Sequence, residues 1–117
     1  DWPKKGCRSY VGRHTFKKDQ PLSLGCGYNP KLIVHEFIHA IGFAHEMNRP
    51  DRDKYVNIEW KNIIGGKNNK EFRLRNGWET YNTTYDWKSV MHYPAINIES
   101  KKNGNGKRLN TMTSKVC

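Results

Sequence analysis

The sequence of 117 residues has no long hydrophobic run and no internal repeat, and it has only 11 acidic residues against 21 lysines and arginines. No apolar stretch approaches the roughly 20 residues that span a bilayer, so a transmembrane helix is excluded. The length suffices for one small domain, or part of a larger one, but not for two. Hydrophobic residues make up only 35% of the chain, which predicts a small core, whereas the 12% of aromatic residues argue against full disorder.

The shortage of acidic residues leaves a formal net charge of +10. The basic charge lies in residues 1–34 and 61–117 and brackets an acidic centre in residues 35–60, so it forms no single stripe. No zinc-knuckle, helix-turn-helix or aromatic RNA-binding signature accompanies it. A solvated basic surface is therefore favoured over nucleic-acid binding, a rival that a steep salt dependence of DNA binding would reveal.

Cysteine is scarce, with three residues and no C-x-x-C pair, which disfavours a cysteine-rich zinc site. Cys7 and Cys26 flank a segment predicted to hold two short strands, Arg8–Arg13 and Pro21–Leu24. A disulfide between them would close a loop of about 20 residues, stabilise the fold by roughly 3 kcal/mol on the chain-entropy model, and imply an oxidising compartment. Cys117 is left over.

The second half of the chain gives shorter signals. Alternating apolar residues predict a strand at Val56–Trp60, and a helical turn is predicted around Lys70–Arg75. The Gly-, Asn- and Lys-rich stretches at 65–70 and 101–107 are predicted to be exposed loops. Asn82-Thr83-Thr84 is an N-glycosylation sequon, which fits a secreted protein but recurs often by chance.

One helix carries the strongest signal. Asn29 is a good N-cap and Pro30 suits the first helical position. Apolar residues then occupy most of the circumference of Lys31–Ile41, which predicts a buried helix. Gly42 permits the positive φ that ends a helix and turns the chain back.

Three histidines interrupt or follow this apolar stretch. His35 and His39 are one turn apart on the same helix face, Glu36 is beside them, and His45 can come round after Gly42. A lone histidine in an apolar helix is usually structural, but this spacing favours one zinc ion per chain. Zinc accepts three imidazoles and, in catalytic sites, keeps a fourth position for water, whereas a structural site would be closed by a fourth protein ligand.

The segment from His35 to Val56 resembles the extended signature of the astacin family of zinc metalloendopeptidases. The histidine motif alone would indicate only the wider metzincin class. Ser89-Val90-Met91-His92-Tyr93 is similar to that family's Met-turn. Cys7–Arg13 and Gln20–Leu24 are similar to its upstream strands, so the resemblance covers residues 6–94.

The resemblance implies an α+β, zincin-like (metzincin-like) catalytic core with an active-site helix, short upstream strands and a Met-turn. It implies that His35, His39 and His45 are the zinc ligands and that Glu36 is the general base. It also implies that Tyr93 approaches the metal and stabilises the oxyanion, and that Met91 packs beneath the zinc. His14 and His92 are expected to be structural or surface residues.

Further positions follow from the same resemblance. Cys7 and Cys26 match a family disulfide, and Arg8, Ser9 and Tyr10 match the sheet edge along which an extended substrate pairs by main-chain hydrogen bonds. Glu46 matches a residue that anchors the N-terminus formed when a pro-segment is cleaved. In this chain we expect Glu46 to lack the Asp1 amine and to be solvated or paired with a nearby arginine.

The chain is shorter than the family's catalytic domains. We therefore expect residues 1–117 to be a partial peptidase domain, with an upper part (1–46) that holds the edge strands and zinc helix. A lower part (47–117) holds the Met-turn, and a cleft separates the two. The pairing of Cys117 and the activity of the truncated chain are left open by the resemblance.

The function implied is that of a secreted, extracellular zinc metalloendopeptidase that hydrolyses internal peptide bonds of protein or peptide substrates. The alternative is a catalytically silent, truncated zinc-binding module. No nucleic-acid partner and no membrane span are expected, and Asn82 is a candidate for an N-glycan.

Overall fold

The computed structural model describes residues 6–15 and 18–116. The chain divides into two compact units, one that ends at Ala44 and one that begins at His45. The predicted cleft between residues 1–46 and 47–117 stays a prediction. Among the described residues, no helix combines the length and apolar character needed to cross a membrane.

The first unit opens with a two-stranded antiparallel sheet. Strand β1 (Gly6–Arg8) pairs with β2 (Ser23–Gly25), and Cys7 lies opposite Leu24 in the register. A disulfide joins Cys7 to Cys26, as predicted. The buried Ser23 adds a side-chain bond, because its hydroxyl donates to the carbonyl of Gly6 at 2.8 Å.

The predicted strands Arg8–Arg13 and Pro21–Leu24 are wrong in their bounds, because the chain leaves the sheet after Arg8. Gly12 has a φ of +75°, which no strand residue adopts. The side chain of Gln20 then fixes the loop, since its Nε2 donates to the carbonyl of Gly12 at 3.0 Å and its Oε1 accepts from the amide of His14 at 2.7 Å.

Helix α1 (Pro30–Ala40) follows the bounds that the sequence predicts. The Oδ1 atom of Asn29 accepts from the amide of Lys31 at 3.1 Å, and Pro30 occupies the first turn. Ile41 caps the C-terminus, and Gly42 turns the chain with a φ of +112°. Each predicted start and stop signal of this helix is confirmed.

The apolar side of α1 is not buried, so the prediction of a buried helix is wrong for its hydrophobic residues. Leu32, Val34 and Phe37 are 41% to 51% exposed, whereas Glu36 and His39 are each 7% exposed. Periodicity identifies the apolar side chains of a helix but not the face that other segments cover. Among the described residues, the loop after β1 is bonded to α1 at the carbonyl of His39.

The second unit has its own small core. Its buried residues are Met47, Ile63, Phe72 and Met112, with Ile58, Trp60 and Tyr93 packed against them. Strand β3 (Val56–Ile58) pairs antiparallel with β4 (Met112–Ser114). The predicted strand Val56–Trp60 stops at Ile58 because Trp60 begins a 3₁₀ helix, and the predicted turn at Lys70–Arg75 is a 3₁₀ helix at Lys70–Phe72.

Regular structure is short in this unit, so side chains satisfy many backbone groups. Nη1 of Arg52 donates to the carbonyls of Met47 and Phe72, each at 2.8 Å, and the arginine is only 4% exposed. Nδ2 of the buried Asn48 donates to the carbonyls of Glu71 and Arg73 at 2.7 and 2.8 Å. These bonds join the segment after His45 to the 3₁₀ helix that carries the core residue Phe72.

We expect Arg52→Met to lower the free energy of unfolding by about 2–4 kcal/mol, because two buried carbonyls lose a charged donor. Chemical denaturation measures the change. Arg73→Met is the matched control, since the Arg73 side chain is exposed, and it should stay within about 0.5 kcal/mol of the parent. Equal midpoints for the two variants would contradict the assigned role of Arg52.

Candidate metal centre

Helix α1 presents His35 and His39 on one face. They are four residues apart, and their rings meet edge to face with centroids 4.5 Å apart and planes 89° apart. His39 is buried and His35 is half-buried. The helical repeat therefore places two imidazoles side by side, as the sequence predicts.

The imidazole of His39 is held in one tautomer by a backbone carbonyl. Its Nδ1 lies 2.8 Å from the carbonyl oxygen of Phe43, which can only accept, so Nδ1 carries the proton. The lone pair then resides on Nε2, the nitrogen that can bind a metal, and a carbonyl partner at Nδ1 orients and strengthens such a ligand. Sequence analysis missed Phe43, because a main-chain acceptor has no residue-type signal.

The carbonyl of His39 ties the end of the helix to the loop after β1. It accepts from the amides of Gly12 and Gly42 at 2.8 and 2.9 Å. A Cβ atom added to Gly12 would lie 3.6 Å from the Cα of Gly42, an ordinary contact distance, so the positive φ of Gly12 is what favours glycine there. Gly42 also presents Phe43, whose amide donates back to Ile38 at 3.2 Å.

The third predicted ligand completes the group. One ligand atom from each of His35, His39 and His45 lies within 4.8 Å of the others. Zinc binds imidazole nitrogens at about 2.0–2.1 Å, usually in a tetrahedral arrangement. Three neutral imidazoles, half-buried or buried, are the donor set of a catalytic zinc site, so the residues fit this metal.

A carboxylate lies beside this group on the helix. Glu36 is buried, and burial raises its pKa above the ordinary value. Electrostatic interactions with His35 and Arg8 and a hydrogen bond from the backbone of Ser9 oppose that rise in the pKa. Arg8 and Ser9, predicted to belong to the substrate edge, thus influence the carboxylate, whereas the ring of Tyr10 packs against His14 at 5.0 Å.

In the second unit, the segment 89–93 lies against the residue that carries the third imidazole. The ring of Tyr93 is 4.5 Å from that of His45, and the amide of Glu46 donates to the carbonyl of Met91 at 3.0 Å. The Tyr93 hydroxyl donates to Oε2 of Glu71 at 3.3 Å. Met91 is buried, and its role in a Met-turn stays a prediction.

His92 has a structural position, as expected. Its Nδ1 donates to the carbonyl of Tyr93 at 2.6 Å, so its Nε2 accepts from the hydroxyl of Tyr85 at 2.7 Å. Trp87 stacks on its ring with centroids 5.3 Å apart. Burial raises the pKa of Tyr85, which keeps this phenol a donor.

Glu46 is paired with an arginine, as expected. Its Oε1 accepts from Nη1 of Arg49 at 3.1 Å and from the amide of Asp86 at 2.9 Å. Arg49 also holds both carboxylate oxygens of Asp51 at 2.9 and 3.0 Å, which lowers the pKa of that carboxyl. The part of the expectation that concerns Asp1 lies outside the described residues, as does Cys117.

Comparison with known families agrees with this geometry. The sequence matches the peptidase family described as Astacin over residues 2–116. The chain belongs to the astacin family. The three histidines are accordingly a zinc-binding group, and the α+β fold is that of this family.

Similar proteins include one that is named as a zinc metalloproteinase. The chain is 37% identical to zinc metalloproteinase nas-12 of Caenorhabditis elegans over 111 residues, which is 95% of this chain and 29% of the relative. It is 44% identical to protein SpAN of Strongylocentrotus purpuratus over 98 residues, which is 81% of this chain and 16% of the relative. The chain thus spans less than a third of these relatives.

A solved astacin-family structure has the same fold. High choriolytic enzyme 1, described as a hatching enzyme zinc-protease from the medaka fish Oryzias latipes, superposes with a TM-score of 0.81 at 36% identity. The superposition covers 97% of this chain and 54% of that one. The chain therefore corresponds to about half of that chain.

We expect Gly42→Ala to lower zinc affinity about 10–100-fold, the usual effect of losing support for a metal ligand. A side chain at a φ of +112° is strained, and relief of that strain moves the Phe43 carbonyl away from His39. Competition with a chromophoric chelator measures the affinity, and His39→Ala gives the zinc-free reference.

Gly104→Ala is the matched control. A Cβ at Gly104 meets nothing within 4 Å, so this variant should bind one zinc per chain as the parent does. In both the parent and this control, acidification should lower zinc affinity, because protons compete with zinc for the imidazole nitrogens. An unchanged affinity in Gly42→Ala would show that the Phe43 carbonyl does not support the ligand.

Proposed function

We propose that this chain forms the zinc-binding part of a secreted metalloendopeptidase, which hydrolyses internal peptide bonds of protein substrates. The observation that carries the proposal is the buried carboxylate of Glu36 beside a group of three imidazoles. Bound zinc supplies a Lewis acid that makes water a nucleophile near neutral pH. The remaining chemistry belongs to the side chains around it.

Glu36 is proposed as the general base. Burial raises its pKa toward working pH and so strengthens it as a proton acceptor, while Arg8, His35 and the Ser9 backbone favour the ionised form. The carboxylate takes a proton from the attacking water and delivers it to the leaving amine. Glu46 and Asp51, two of the carboxylates that follow in the sequence, are engaged with Arg49.

Tyr93 is proposed as a donor to the oxyanion that develops on the scissile carbonyl, and as a group that approaches the metal between turnovers. Its ring packs on the ring of His45, so the Tyr93 side chain lies next to one of the three proposed zinc ligands. Rotation about the side chain would release the hydroxyl from Glu71. Met91, whose carbonyl accepts from Glu46, is proposed to pack beneath the zinc.

The end of β1 is proposed as the substrate-binding edge. Arg8 is the last residue of β1, and the chain leaves the sheet at Ser9 and Tyr10. An extended peptide can pair with such an edge through main-chain hydrogen bonds. The interaction between the Ser9 backbone and Glu36 supports the proposal, because it joins this edge to the proposed base.

Secretion is proposed from the Cys7–Cys26 disulfide, since disulfides persist in oxidising compartments. The alternative function is that of a zinc-binding module without catalysis. The presence of Glu36 together with all three ligands favours the peptidase, because binding zinc alone does not require this carboxylate.

Glu36→Gln should retain zinc, and its rate of peptide cleavage should be about 10²–10⁴-fold lower than that of the parent, because an amide cannot accept the proton. Zinc content and cleavage of an internally quenched peptide are measured on the same sample, with and without chelator. Glu79→Gln changes an exposed carboxylate and should cleave as the parent does. A parent chain that binds zinc but cleaves nothing would favour the silent module.

Tyr93→Phe should reduce kcat by about 10²–10³-fold, the usual effect of losing one oxyanion donor. KM should change little, because the bond forms in the transition state, and zinc content should stay at the parent level. The control is Tyr81→Phe, since Tyr81 is exposed. Loss of zinc, or an effect on KM alone, would make Tyr93 a structural residue.

A further inference from the structure

The surface turn at Thr80–Thr83 holds the sequon Asn82-Thr83-Thr84, which the peptidase chemistry does not use. We propose that Asn82 is a modification site that carries an N-linked oligosaccharide. The proposal does not depend on catalysis or on zinc. It rests on the conformation of the turn, on its attachment to the second unit and on the groups that it leaves exposed.

The backbone of the turn places Asn82 at its tip. The amide of Thr83 donates to the carbonyl of Thr80 at 3.0 Å, which closes a four-residue turn around Tyr81 and Asn82. Both central residues have positive φ, at 51° and 55°. Positive φ at both positions defines a type I′ turn, in which asparagine is favoured. Such a turn directs its central side chains away from the closing hydrogen bond.

Arg49 attaches this turn from its inner side. Its Nη2 donates to the carbonyl of Thr83 at 2.9 Å, and its Nη1 donates to the carbonyl of Thr84 at 3.2 Å. The guanidinium is itself held by Glu46 and Asp51. The carbonyls of Thr83 and Thr84 are therefore bound to the protein through Arg49, whereas the side chains of Asn82 and Thr84 are exposed.

The two groups that glycosylation requires are accessible. Asn82 and Thr84 are exposed, and within residues 6–15 and 18–116 neither the Asn82 amide nor the Thr84 hydroxyl makes a hydrogen bond. Modification of Asn82 therefore breaks no bond of the folded protein. A glycan here would also cover part of the Tyr81 ring, which is 74% exposed.

The reaction is a transfer from a lipid-diphosphate-linked oligosaccharide in the secretory pathway. Nδ2 of Asn82 forms a bond to the anomeric carbon of the sugar, and the bond from that carbon to the diphosphate oxygen breaks. The lipid diphosphate leaves with the electron pair, and the amide nitrogen loses one proton. The acceptor sequence requires a hydroxyl residue two positions after the asparagine and excludes proline between them, and this sequon satisfies both conditions.

The test directs the full chain, with an added signal sequence, into the secretory pathway of eukaryotic cells. Intact-mass analysis before and after peptide N-glycosidase treatment should show a loss of mass. Peptide mapping should show conversion of Asn82 to an aspartate, which marks the attachment point. Asn82→Gln should abolish both signals, whereas the purified glycosylated chain should still bind one zinc.

Variants at the next two positions separate the acceptor chemistry from the shape of the turn. Thr84→Val removes the required hydroxyl and should abolish the glycan, and Thr84→Ser should restore it. Thr83→Val removes the hydroxyl that donates to Thr80 at 2.7 Å but leaves an intact Asn-Val-Thr sequon, so the glycan should remain.

An unmodified parent chain recovered from the secretory pathway would overturn the proposal. A mass increase that resists the glycosidase would do the same, because it would place the sugar on a hydroxyl group. Loss of the glycan in Thr83→Val with retention in Thr84→Val would show that another chemistry modifies the turn.

Discussion

The first unit depends on the hydrogen bonds made by a single residue, His39. Its imidazole donates to the carbonyl of Phe43, and its own carbonyl accepts from Gly12 and Gly42. One residue thus sets the tautomer of a metal ligand, ends the helix and holds the loop that follows β1. A metal ligand must be fixed in both position and protonation state, and here the main chain fixes both.

The zinc group and its helix could be predicted from the sequence because their signals are local. Helical periodicity relates His35 to His39 without knowledge of the rest of the fold, and the cap at Asn29 and the glycine at 42 gave the helix bounds. The strands were harder, because β1 and β2 are three residues long and Gly12 and Gln20 shape the loop between them. The burial of α1 depends on which other segments cover it, and the hydrophobic periodicity of the helix carries no information about those segments.

The second unit shows why other contacts escaped prediction. Its elements are mostly single 3₁₀ turns, so long-range side-chain bonds from Asn48, Arg49 and Arg52 replace the ladders of a sheet. These residues lie shortly after the third histidine, and their residue types alone do not reveal which groups they bind. Their partners are backbone carbonyls far along the chain, such as those of Phe72 and Thr83, which leave no mark in the sequence.

The disulfide of the first unit has a consequence for metal binding through the loop that it anchors. Cys7 lies in β1, and the loop that leaves β1 donates from Gly12 to the carbonyl of His39. Oxidation of the cysteines restrains that loop and so favours the helix end that holds the ligand. Thermodynamic linkage is reciprocal, so bound zinc must in turn stabilise the oxidised cysteines against reduction. Zinc affinity and the stability of the disulfide would then be coupled through the hydrogen bond from the Gly12 amide to the His39 carbonyl.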